Sequence, residues 1–203
     1  MKLARNAAML RLLVVVVLAA AFAFAIQAWI VKPYSIPSQS MEPTLVSGQR
    51  VLVDRLGNDF FAPSIGDIVV FHPPAGAAEG TFGLCGVKRP RTAPCPLPAG
   101  SATSINYVKR VVAVGGDTIA IVDGHVILNG IRQKEPFATF QHCVNDSTCS
   151  YPTPIKVPAG YYFMMGDNRA DSDDSRFWGP VPRSWIVGEV FVTYWPLDRI
   201  GFF

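Results

Sequence analysis

Histidine is scarce in this sequence, and what there is lies scattered. Only His72, His125 and His142 occur. No two form a ligand pair at helical spacing, and none stands in a Ser-His-Asp context, so they read as surface residues rather than a metal centre or a histidine-led triad. The G-x-S-x-G nucleophile elbow is absent as well. The chain also lacks a charge excess outside its first residues. Of the net charge of +3, Lys2, Arg5 and Arg11 supply all three, and the other 15 basic residues cancel the 15 acidic ones. The main part of the chain therefore has nothing to draw it to nucleic acid, and no nucleic-acid motif is present. Internal repeats are missing, and past the first apolar run so is helical periodicity.

What is present begins with that apolar run. Every residue from Leu12 to Ile26 is apolar, and after Gln27 the run resumes through Val31, giving 20 residues with one polar interruption. A helix of that length crosses a bilayer core of roughly 30 Å. The three basic residues ahead of it place the N-terminus in the cytoplasm by the positive-inside bias, and Trp29 sits where an interfacial aromatic belongs. Everything from Lys32 onward then faces outside. A cleavable secretory signal competes with this, because Ala23-Phe24-Ala25 is a small-x-small pattern. The six apolar-rich residues beyond Ala25 favour a retained anchor, and either alternative exports the rest of the chain.

The cysteines agree with export. Cys85 and Cys95 lie ten apart and Cys143 and Cys149 six apart, each pair in a loop-like stretch. Four cysteines permit three pairings, and nearest neighbours are favoured because each pair closes a short loop in an oxidising compartment. A zinc site is the alternative, against which the spacings speak. Strand-like segments fill the rest: 51–53, 68–71, 107–114, 118–122, 125–129, 161–165 and 190–194 are rich in β-branched and aromatic residues. Gly115-Gly116-Asp117, Asp123-Gly124 and Asn129-Gly130 are turn signals, the middle one reading as a tight hairpin. The expected fold is mainly β: residues 1–32 a cytoplasmic tip and one transmembrane helix, residues 33–203 an exported sandwich or partly closed barrel. Two irregular excursions, 72–105 and 133–158, hold the cysteine pairs.

Three constellations carry chemistry. In Ser35-Ile36-Pro37-Ser38-Gln39-Ser40-Met41-Glu42-Pro43-Thr44-Leu45, prolines fix the backbone on both sides of Ser38 and Ser40, although a serine-rich stretch also serves as a plain linker. A nucleophilic serine needs a base, and Lys109 fits by pattern. On the strand 107–114 it shares a face with Tyr107, Val111 and Ala113. Burial disfavours an ammonium and so favours the neutral form that accepts a proton. A lysine snorkelling from an edge strand gives the same pattern, and the face of Val108, Arg110 and Val112 is partly apolar too. Third, the block from Gly166 to Pro180 comes after an apolar strand and ends in Phe-Trp-Gly-Pro. That marks either a packed turn with an internal polar network or a charged surface loop.

Together these blocks resemble the type I signal peptidases, also called leader peptidases. The resemblance has four parts in order: Ser35 to Leu45; Gly66-Asp67-Ile68-Val69-Val70-Phe71; Tyr107-Val108-Lys109-Arg110-Val111 with Gly115-Gly116-Asp117; and Gly166 to Pro182. It implies a serine endopeptidase with a Ser–Lys dyad, needing no metal and no cofactor, that removes signal peptides after small-x-small sites. It implies Ser40 as nucleophile and Lys109 as general base. Ser38 joins the Ser40 N–H in the oxyanion hole, and Ser172 orients the lysine. Asp174 and Arg176 form a supporting ion pair, with Asp167 and Arg169 in the same scaffold. Ile36, Tyr107 and Val108 flank the extended substrate. The implied partners are signal peptides of exported preproteins and the lipid bilayer. The implied place is a bacterial inner membrane, crossed once, with the catalytic part on the periplasmic side. Three departures stand out: a compact span between Lys109 and Asp167, one visible spanning segment where some members have two, and a 72–105 loop without an evident counterpart. A specialised peptidase maturing pilins or a conjugation protein, and a non-enzymatic anchored β module, remain as alternatives.

Overall fold

The computed structural model of the protein describes residues 2–29, 31–77, 85–98, 100–144 and 146–203. Helix α1 (Lys2–Trp29) comes first. Its side chains are described over residues 9–22, where the large apolar ones from Met9 to Phe22 are 47–69% exposed. The side chains of Trp29 and of the Ala23-Phe24-Ala25 pattern lie outside the described set. Among the described residues no helix is long and apolar enough to cross a membrane.

The rest is strand. One sheet runs in the order β1 (Val31–Ser35), β2 (Arg50–Asp54), β11 (Ile186–Trp195), β3 (Ile68–Phe71), β4 (Tyr107–Val114), β9 (Tyr161–Met165) and β10 (Val181–Pro182), with β12 (Gly201–Phe202) also on β11. A smaller sheet runs β7 (Ile131–Arg132), β6 (His125–Leu128), β5 (Thr118–Val122) and β8 (Tyr151–Lys156). Register shifts at Ile186/Gly188, Val190/Val192 and Thr193/Trp195 bend β11, so that its first half pairs with β3 and its second with β2. The large sheet is thereby curled into a half-barrel.

Alternation along the strands sorts side chains into separate cores. In β9, Phe163 and Met165 enter the cluster shared with the small sheet, whereas Tyr162 and Met164 join Val69, Phe71 and Trp178 on the other face. In β3, Ile68 and Val70 turn to a third cluster built with Ile36, Met41 and Leu45. Strand β4 breaks its own alternation. A register shift between Val111 and Ala113 sends both Val112 and Ala113 into the first cluster.

The expected hairpin at Asp123-Gly124 forms, with φ of 49° and 80° at the two residues, and Asn129-Gly130 repeats it at 51° and 82°. Four expectations need correction. Lys32-Pro33-Tyr34, ahead of the first expected strand, is part of β1, which pairs with β2 along all five of its residues. Its Pro33 is tolerated because β1 is an edge strand. The 133–158 excursion contains β8, in which Pro152 and Pro154 break the strand pattern of the sequence. Strand β11 begins at Ile186 rather than Val190. Two short helices, α2 (Leu56–Phe60) and α3 (Ser175–Trp178), are each too brief to show a period.

Candidate active site

The stretch after β1 is pinned at both ends and from below. Ile36 N–H donates to Gln49 O at 2.9 Å and Gly48 N–H to Ile36 O at 2.8 Å. Ile36, Met41 and Leu45 are buried in the third core, at 2%, 1% and 0% exposure. The apolar positions therefore anchor the turn and leave its serines at the surface of a cleft. Asn168 N–H holds Ser40 from behind, donating to its carbonyl at 3.1 Å. Ser38 Oγ lies 3.3 Å from Ser40 Oγ. The Ser40 N–H finds no protein acceptor among the described residues.

Lys109 reaches this turn from β4, opposite Val69 of β3. It is 4% exposed, and its Nζ lies 2.5 Å from Ser40 Oγ. Among the described residues no carboxylate is within ion-pair distance of it. Burial lowers its pKa; Asp174, Asp173 and Asp167 pull it back up and Arg176 pushes it down, leaving it at about 8. The Tyr107 ring centroid is 5.6 Å from Nζ. Tyr107, Val108, Ile36 and Tyr34 line the cleft, whose volume is about 620 Å³.

The third block forms the support. Asp174 is fully buried and caps α3, accepting Arg176 N–H at 3.2 Å while Arg176 Nε and Nη2 bind its two oxygens at 2.8 and 2.9 Å. Gly166 N–H and Ser172 Oγ donate to it as well, at 3.1 and 2.8 Å. Burial alone raises the Asp174 carboxyl, but the Arg176 charge and these hydrogen bonds overcome it and hold the group below the usual carboxylate range. Ser172 thus donates to Asp174, and no hydrogen bond joins it to Lys109 among the described residues. Burial and the charge of Asp174 raise Asp173, on the cleft wall, to about 6.

Further residues complete the framework, and two of them, Arg110 and Glu135, had no role in the sequence reading. Asp167 pairs with Arg110 of β4, Nη2 to Oδ2 at 2.7 Å, and accepts Thr44 Oγ1 at 2.5 Å. Arg169 is fully buried and binds Glu135 at 2.6 Å, Gly166 O at 3.0 Å and Gly124 O at 2.5 Å. Arg110 carried a signal, a charge on the partly apolar face opposite Lys109. Glu135, inside an irregular stretch, carried none. Gly166 is fixed by space: a Cβ there would stand 2.3 Å from Ser172 Oγ and 2.4 Å from Ser40 O. All four cysteines are in disulfides, Cys85–Cys95 and Cys143–Cys149, as nearest-neighbour pairing predicts.

A solved signal peptidase I of Enterococcus faecalis is 23% identical and aligns over 64% of this chain and 97% of its own, with a TM-score of 0.40. The thylakoidal processing peptidase 1 of Arabidopsis thaliana is 36% identical over 84% of this chain, which spans 44% of that longer protein. The signal peptidase I of Leptolyngbya laminosa is 32% identical over 185 residues, 91% of this chain and 78% of that one. The family described as signal peptidase, peptidase S26, matches residues 9–195. That match over most of the chain, with the identity to the Leptolyngbya enzyme, carries the assignment: the chain belongs to the signal peptidase family and is a serine endopeptidase.

Proposed function

We propose that Ser40 and Lys109 are the dyad of an anchored signal peptidase that works by acyl transfer. The observation that carries this is the 2.5 Å approach of a buried lysine, free of carboxylate partners among the described residues, to one serine hydroxyl in a cleft wall. Neutral Lys109 takes the Ser40 proton as Oγ attacks the carbonyl after a small-x-small site. The oxyanion accepts from the Ser40 N–H and Ser38 Oγ. Lys109 returns the proton to the departing amine, and water then hydrolyses the acyl-enzyme with Lys109 again as base. Ile36, Tyr107 and Val108 hold the acyl half of the substrate, extended along the cleft. The Asp174–Arg176 pair fixes the block behind Lys109. Because Ser172 donates to Asp174, its influence on the lysine runs through that carboxylate.

Residues 1–30 serve as the anchor and 31–203 as the exported catalytic part, the boundary moved from residue 32 because Val31 and Lys32 pair with β2, with the N-terminus on the cytoplasmic side of a bacterial inner membrane. The 20-residue apolar run and its basic flank support this, as does the exposure of the apolar side chains of α1. The test is cleavage of a preprotein by the purified full chain in detergent, read by mass. Cutting at one bond after a small-x-small site is expected, and its absence, or cutting that persists in Ser40→Ala, overturns the proposal.

A further inference from the structure

Breaking a peptide bond yields two chains, and the cleft beside Ile36, Tyr107 and Val108 holds one of them. The other must leave Ser40 in the opposite direction. The same cleft is also lined by Gln39, the neighbour of Ser40, and by Asp171. Asp171 also lines a second hollow of about 630 Å³, which takes Glu42, Pro43 and Val46 from the far side of the nucleophile in sequence. That volume lies within the range of ligand clefts.

The hollow has fixed walls. Asn168 ties its floor to the nucleophile turn through Ser40 O at 3.1 Å and Gln39 O at 3.4 Å. Arg199 Nη2 donates to Pro43 O at 3.0 Å, and Arg169 N–H donates to the carbonyl of Thr139, another lining residue, at 3.1 Å. Its charged lining is Glu42, Asp146 and Asp171 against Arg199. Hydrogen bonds from the Thr148 backbone and hydroxyl keep the Asp146 carboxyl below the usual range, so it stays an anion. The chain released at Ser40 begins with an α-amine that is largely protonated at neutral pH.

We propose that this hollow is the leaving-side subsite, receiving the first residues of the released chain and preferring basic over acidic side chains there. The inference rests on the proposed function, which supplies the direction of the substrate. Three peptides sharing one acyl half, with Lys, Gln or Glu at the second to fifth positions past the cut, test it on the full chain in detergent. At low salt kcat/KM should fall from Lys to Glu by about two- to fivefold, the size of one exposed charge contact. The ratio should shrink in 0.5 M salt and approach one in the Glu42→Gln/Asp171→Asn variant. Ala170→Trp, which fills the hollow, should slow these peptides more than one ending just past the cut. Equal rates for the three, or a Lys-to-Glu ratio unchanged in the double variant, overturn the subsite alone. Failure to cut any of them overturns the proposed function, and the subsite with it.

Discussion

Arg110 and Asp167 meet in a two-pronged ion pair, Nε to Oδ1 at 2.9 Å and Nη2 to Oδ2 at 2.7 Å. The pair joins the strand bearing Lys109 to the turn whose Asn168 holds Ser40. Asp167 is fully buried and Arg110 nearly so. Removing one partner strands the other charge. Asp167→Ala should therefore cost about 3–5 kcal/mol in urea unfolding, and Arg110→Met with Asp167→Leu should recover much of it. A single-variant loss below about 1 kcal/mol would show that the pair is not needed.

Ser40→Ala and Lys109→Met should each abolish turnover while leaving the near-ultraviolet circular dichroism unchanged. Ser38→Ala should be milder, losing on the order of 10²–10³ in kcat, the effect of one oxyanion donor. An unaltered rate would take Ser38 out of that role.

The pH profile tests the base. An ordinary lysine is neutral in about one molecule in 2,500 at pH 7. One at about 8 is neutral in about one in ten. Since the neutral form accepts the proton, kcat/KM should climb with pH and level off above about 8. Asp173→Asn removes an anion that raises Lys109, so the limb should move to lower pH. Replacing His72, His125 and His142 together should leave it in place. A limb that disappears with one histidine would move the base away from Lys109. Stability has the same sign. The folded lysine titrates below its unfolded value, so unfolding takes up a proton between about 8 and about 10.4, and this group's contribution rises with pH across that window.

Gly166→Ala adds one methyl where Ser172 Oγ and Ser40 O already crowd the backbone. Forcing those loops apart should lower kcat by more than tenfold and stability by about 1–3 kcal/mol. Wild-type kinetics in this variant would mean that the two loops can part without disturbing the dyad.

Much of this site was legible in the sequence because its parts are local. Pro37 and Pro43 bracket the serine turn, a lysine stands in an apolar strand, and a dense polar block comes after another strand. The hidden parts are those that depend on distant partners. Arg169 lies two residues from Asp167, yet the structure pairs them with Glu135 and Arg110, 34 and 57 residues away. Strands β1 and β8 escaped because proline and exposed polar residues blur alternation at a sheet edge. The two-face pattern of β4 misled near Val112, where a register shift puts neighbours on the same side.

The edge strand β1 has a consequence for length. It begins at Val31, two residues after α1 ends, and is zipped to β2 from Val31↔Asp54 to Ser35↔Arg50. The five residues that lead into the nucleophile turn are thus a strut rather than a tether, covering roughly 14 Å at about 3.4 Å per step. A strut fixes height. The enzyme would then act as a gauge, meeting each substrate at one distance from the bilayer and passing over cleavable sequences that emerge too near it or too far away.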